Sequence, residues 1–126
     1  MADIDHFKHI NDIHGHLAGD KVLIEITEIM RSCVQKEDFV ARWGGEEFLF
    51  ILPQTPPINA HVFAEKIKER VQNHIFDDEN NHIALTISMG ISQLHSNHNI
   101  DEIINIADKY LYQAKDAGRN KIFPDS

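Results

Sequence analysis

Two adjacent glycines between two β-rich runs constrain this chain more than any other feature. Gly44 and Gly45 follow Phe39-Val40-Ala41-Arg42-Trp43 and lead, through Glu46 and Glu47, into Phe48-Leu49-Phe50-Ile51-Leu52. A glycine pair in that position predicts a hairpin turn, because glycine reaches positive φ without steric cost. The turn itself has no use for two carboxylates at its tip. Adjacent like charges repel, so Glu46 beside Glu47 suggests a cation held between or next to them. Read alone, the stretch is better taken as a solvated acidic hairpin.

A second acidic cluster, Asp3-Ile4-Asp5, precedes His6-Phe7-Lys8 at the start of the chain. Hard divalent cations take oxygen ligands, commonly a few carboxylates completed by water and substrate phosphates. One cluster at a strand end and another on a hairpin can supply such a site together. Neither has the cysteine or histidine spacing of a zinc centre, and His14-x-His16 lacks residues to complete a ligand set. The joint reading is magnesium-dependent phosphate chemistry.

Charge sharpens that reading. Lys plus Arg minus Asp plus Glu is 12 − 20 = −8, which disfavours nonspecific nucleic-acid binding. So acidic a chain binds a triphosphate only where metal ions and a few placed bases reverse the sign, which singles out Lys8, Lys115 and Arg119. At 126 residues and 42% hydrophobic, residues 1–126 form one small domain with a single core. No apolar run approaches the roughly 20 residues of a membrane helix, and no signal peptide is visible. The single cysteine, Cys33, reads as a small buried hydrophobe and suits a reducing cytoplasm.

Periodicity predicts helices over 6–14 and 18–34, the second carrying Val22, Leu23, Ile26, Ile29, Met30 and Cys33 at helical spacing. Residues 38–52 give two strands, with Trp43 partly buried beside their turn. Pro53 to Pro57 is a breaker-rich loop before a helix through Val62, Phe63, Ile67 and Val71. Residues 77–81 are polar and exposed, and Ile83 to Ser92 reads as one buried strand with Gly90 inside it. Asn99 with Glu102 forms a capping box for a helix running to Ala117 and stopped by Gly118. Lys121-Ile122-Phe123 is a short final strand. Interleaved helices and strands imply an α/β layered class, helices covering a sheet.

Asp3-Ile4-Asp5-His6-Phe7-Lys8, Ile10-Asn11-Asp12, Gly15-His16, Gly19-Asp20, Arg42 to Phe48, and Ala114-Lys115 with Gly118-Arg119-Asn120 together resemble the GGDEF-domain diguanylate cyclases, in order and spacing, over nearly the whole chain. The name-giving motif is here GGEEF. The resemblance implies the ferredoxin-like palm fold of nucleotide cyclases and the condensation of two GTP into cyclic di-GMP by a cytoplasmic homodimer, without membrane contact by the domain. It implies Asp3, the Ile4 carbonyl and Glu46 as ligands to magnesium, with manganese as the alternative ion. Glu47 then touches a second metal or deprotonates the attacking 3′-hydroxyl, a role for which Glu46 competes. Phe7 (through its amide), Lys8, Lys115 and Arg119 are implied at the triphosphate; Asn11 and Asp20 at guanine, with His16 lining the same pocket. Asp5 is read as structural, bonding backbone donors at a helix start.

Two departures matter. Family members carry a helix and most of the first strand before the equivalent of Asp3, so the N-terminal part is missing here and an inactive fragment is one outcome. Gln35 and Asp38 stand where many relatives have the Arg-x-x-Asp of a product-inhibition site, and glutamine makes no charged bidentate clamp on phosphate. A GTP-binding regulatory module without catalysis is the alternative function; an adenylate cyclase is disfavoured by Asn11 with Asp20.

Overall fold

The computed structural model describes residues 1–78 and 81–124. Strand β1 (Ala2–Ile4) leads into α1 (Phe7–His14) and α2 (His16–Cys33); β2 (Phe39–Arg42) and β3 (Glu47–Ile51) form the hairpin; α3 (Pro57–Gln72) follows. A small ribbon, β4 (Phe76–Asp78) with β5 (Asn81–Ile83), precedes β6 (Ile87–Gly90), α4 (Ile100–Asp116) and β7 (Ile122–Phe123). The main sheet has the order β2-β3-β1-β6-β7. Its first four strands follow the βαββαβ path of a ferredoxin-like fold, with antiparallel β3-β1-β6 at the centre and β7 added parallel to β6.

Alternation along the short strands sorts the core. Ala2, Ile4, Phe48, Ile87 and Met89 face the layer of α1, α2 and α3, where Val22, Ile26, Met30, Ile67 and Val71 are buried. The opposite face meets α4 through a smaller cluster of Met1, Ala107 and Leu111, with Leu49 and Ile104 against it. Asp3, out of phase with Ala2 and Ile4, therefore points to the α4 side. Gly90 makes that packing possible: a Cβ there would lie 2.1 Å from the Ala107 carbonyl oxygen and 2.4 Å from Leu111 N. Cys33 is buried in the larger cluster, as its place on the apolar face predicts. No helix among the described residues is long and apolar enough to cross a membrane.

The structure departs from the sequence reading in several places. The run Ile83 to Ser92 is not one strand: Ile83 pairs with Phe76 in the ribbon, and only Ile87–Gly90 enters the main sheet. Asp77, Asp78 and Asn81 pair within that ribbon; Asp77 is exposed, and 79–80 lie outside the described residues. Helix α2 begins at His16, two residues early, because Gly15 at φ 89 turns the chain directly from α1 into α2. At the hairpin neither Gly44 nor Gly45 adopts the left-handed region, and a Cβ on Gly45 would meet nothing within 4 Å. Trp43, read as partly buried beside the turn, is 52% exposed.

Candidate active site

The two acidic clusters meet where β1 pairs with β3. Asp3 lies directly opposite Glu47, and the Ile4 amide donates to the Glu46 carbonyl at 3.2 Å. The tip is held from behind by Arg42, whose guanidinium donates to the carbonyls of Gly44 (3.3 Å) and Gly45 (2.8 Å). The Trp43 amide donates to the Glu47 carbonyl at 2.8 Å. This backbone and guanidinium scaffold leaves the Glu46 and Glu47 carboxylates clear of the turn's own bonding.

Asp3 is 5% exposed. Its Oδ2 accepts from Lys115 Nζ of α4 at 2.7 Å, while Oδ1 is buried with no hydrogen-bond partner. Burial pushes the Asp3 carboxyl up from 3.8 to about 6; Lys115 opposes the rise and Glu46 adds to it. Glu47 is raised as well, first by burial and then by the charges of Asp3 and Asp108, with Lys115 opposing. Desolvated like charges with one lysine between them form a site short of positive charge.

A divalent cation fits this donor set. Among the described residues no three or more His, Cys, Asp or Glu side chains converge into a ready metal cage. Two carboxylates, one of them with an orphaned buried oxygen, and an adjacent backbone carbonyl suit an ion that completes its shell from water and phosphate.

The other predicted residues lie on α1, on α2 and at the end of α4. At the start of α1, His6 is left-handed at φ 56 and gives no side-chain cap, and the first turn holds no acid. Its amides are thus uncommitted to side chains, the usual setting for an anion. Phe7 is buried in the core, which anchors that turn, while Lys8 is exposed beside it. Asn11 is half-buried; His16 and Asp20 are exposed on α2. Gly19 explains how Asn11 reaches α2: a Cβ on it would fall 1.9 Å from Asn11 Oδ1.

Helix α4 brings Lys115 and then stops in a Schellman motif: Gly118 N donates to Lys115 O at 3.2 Å and Arg119 N to Ala114 O at 3.0 Å. Gly118 has φ 116 as that motif needs, and Arg119 (φ 65) and Asn120 (φ 50) continue in the left-handed region. Asp5 is structural, as expected, but not as a helix cap. It is 3% exposed, and it accepts from Ser88 Oγ and Thr86 Oγ1 at 2.7 Å each and from the Asn120 amide at 3.0 Å. No local signal announces those partners, which come from 81 to 115 residues away. Gln35 and Asp38 lie apart, in the turn after α2. There the Asp38 carboxylate accepts from the Gln35 amide at 2.9 Å, closing its own turn.

Comparison with known proteins agrees with this architecture. The family model for the diguanylate cyclase GGDEF domain matches residues 1–121. The chain belongs to that family. It is 41% identical over 122 residues to diguanylate cyclase DgcM of Escherichia coli (strain K12), covering 97% of this chain and 29% of that protein. The diguanylate cyclase SiaD of Pseudomonas aeruginosa, solved with its activator SiaC, superposes with a TM-score of 0.93 at 36% identity, over 96% of this chain and 46% of that one. The active GGEEF domain of a Vibrio cholerae diguanylate cyclase gives 0.86 at 38% identity, over 96% and 77%.

Proposed function

We propose that this domain condenses two GTP molecules into cyclic di-GMP with release of pyrophosphate, in the cytoplasm, as one half of a homodimer. One observation carries the reading above the others: β1 pairs with β3 so that Asp3, bonded to Lys115, lies opposite Glu47 and next to the Glu46 end of the hairpin. The relatives are diguanylate cyclases, one of them described as an active GGEEF domain.

Asp3, Glu46 and the Ile4 carbonyl would hold magnesium, or manganese through the same oxygens. Such an ion would supply positive charge to offset the negative charge that develops in phosphoryl transfer. The open first turn of α1, with Lys8, Lys115 and Arg119, takes the triphosphate. Asn11 and Asp20 read guanine: an amide donates to O6 and a carboxylate accepts from N1–H and the 2-amino group. In each of two steps the 3′-oxygen of one GTP bonds to the α-phosphorus of the other, and the α–β phosphoanhydride bond breaks. Pyrophosphate leaves, and the hydroxyl proton passes to Glu47 or Glu46. Burial, followed by the charges of Asp3 and Asp108, raises the Glu47 carboxyl, which strengthens it as a base. Each domain binds one GTP, so turnover needs two domains facing each other.

Incubation of the chain with GTP and magnesium should give cyclic di-GMP and two pyrophosphates, identified by mass, and ATP should give no cyclic dinucleotide. Glu46→Gln should lower the rate by at least ~10²-fold with the circular dichroism spectrum unchanged, since an amide does not replace an anionic oxygen ligand. Near-normal turnover by that variant would remove Glu46 from the chemistry.

A further inference from the structure

Asp5 is buried, carries a carboxylate, and stands two residues from Asp3, yet nothing in the proposed chemistry uses it. Its three hydrogen bonds are unequal in what they explain. Ser88 and Thr86, on and just before the neighbouring β6, fix the carboxylate from one side. The third donor, the Asn120 amide, belongs to a loop that local rules do not account for. A Schellman cap needs the left-handed conformation at one residue, and Gly118 supplies it. Arg119 and Asn120 nevertheless stay left-handed for two more residues. Asparagine visits that region with little strain; an arginine does so only when its surroundings hold it there.

The structure assigns Asp5 as the positioning residue for Arg119: its carboxylate holds the left-handed Arg119-Asn120 step and so sets where the Arg119 guanidinium points. The Asp-x-Asp pair of β1 then fastens the end of α4 at two points. Asp3 takes Lys115 directly at 2.7 Å, and Asp5 takes the loop that follows through the Asn120 amide at 3.0 Å. Among the described residues the Arg119 side chain makes no hydrogen bond or ion pair, so its place is set by backbone. The benefit to substrate rests on the reading of Arg119 as a triphosphate contact.

A double-mutant cycle on GTP affinity, read by equilibrium binding with magnesium present, tests this together with limited trypsin digestion after Arg119. Asp5→Ala should weaken GTP binding about tenfold in the parent but by less than about twofold when Arg119 is already alanine, because coupled residues are not additive. Trypsin should cut after Arg119 several-fold faster in Asp5→Ala. Asp5→Asn should restore both readouts most of the way, since its side-chain oxygen still accepts from Thr86 and Asn120 while its amide donates to Ser88. If Asp5→Ala does not fold, Asp5→Ser carries the same cycle: its hydroxyl remains polar beside β6 but is too short to reach Asn120. Equal losses in both backgrounds, with unchanged cleavage, would overturn the assignment. An Arg119→Ala chain that binds GTP as the parent does would overturn its link to substrate, whichever way the digestion reads. The cyclase reading fails separately, if the parent makes no cyclic dinucleotide from GTP.

Discussion

The metal-ligand role proposed for Asp3 conflicts with its burial. Burial favours the protonated acid, whereas a metal ligand must be ionised. With the folded carboxyl near 6 and the ordinary value at 3.8, the folded state binds the proton more tightly than the unfolded chain. The stabilisation from the protonated form is therefore present at the lowest pH and is lost as pH rises through about 6. In denaturant titrations without metal, Asp3→Asn should gain stability relative to the parent as pH rises from 4 toward neutrality, and a difference constant with pH would contradict the shift. Manganese binding by the parent should weaken below about pH 6 for the same reason. Gly19 makes the second residue-scale prediction. Gly19→Ala should push the Asn11 side chain aside and weaken GTP binding by about 1–3 kcal/mol, the usual loss for a displaced hydrogen-bonding partner. Pyrophosphate binding should change little. Equal loss of both ligands would place the guanine contact elsewhere. The sequence showed the acidic clusters because like charges side by side need an explanation. It did not show Gly19 or Asp5 at work, since both act on residues that only the fold brings near. The glycines of the hairpin were read for a positive φ they do not adopt; between Arg42 and Glu47 the loop is held by the guanidinium instead.

At the scale of elements, helix α4 connects the site to the core. Its start is capped reciprocally: the Asn99 side chain accepts from the Glu102 amide at 2.9 Å, and the Asn99 amide donates to Glu102 Oε1 at 3.4 Å. Asn99→Ala should cost about 0.5–2 kcal/mol in urea denaturation, with GTP affinity per folded molecule unchanged. Gly90→Ala should cost more than the usual 1–3 kcal/mol of overpacking, because its Cβ meets helix backbone rather than a side chain that can turn away. It should also weaken GTP binding, since the shifted helix carries Lys115. A Gly90→Ala chain of parental stability would mean that α4 is free to move out. The capping box was legible because it is local, as was the helical spacing of α2. The false continuity of Ile83 to Ser92 has the opposite cause. β-branched residues mark a buried extended run, but which partner each residue finds is decided by Phe76 and by β1, neither of which is adjacent in sequence.

At the scale of the whole molecule, the proposed reaction requires two copies of the domain to bring two acidic surfaces and two triphosphates together. A net charge of −8 sets monomers against each other, and no helix here offers the sustained heptads of a coiled coil. Association of the isolated domain should be weak and should tighten at moderate salt, which screens that repulsion. The central claim is that two of these domains jointly close a cyclic dinucleotide. A dilution series through the micromolar range, with GTP and magnesium, product identified by mass and oligomeric state read by sedimentation at the same concentrations, tests it most directly. The account predicts cyclic di-GMP whose yield per domain rises with protein concentration as dimer appears. Turnover by a chain that sediments as a monomer, or GTP consumed without any cyclic dinucleotide, would contradict it.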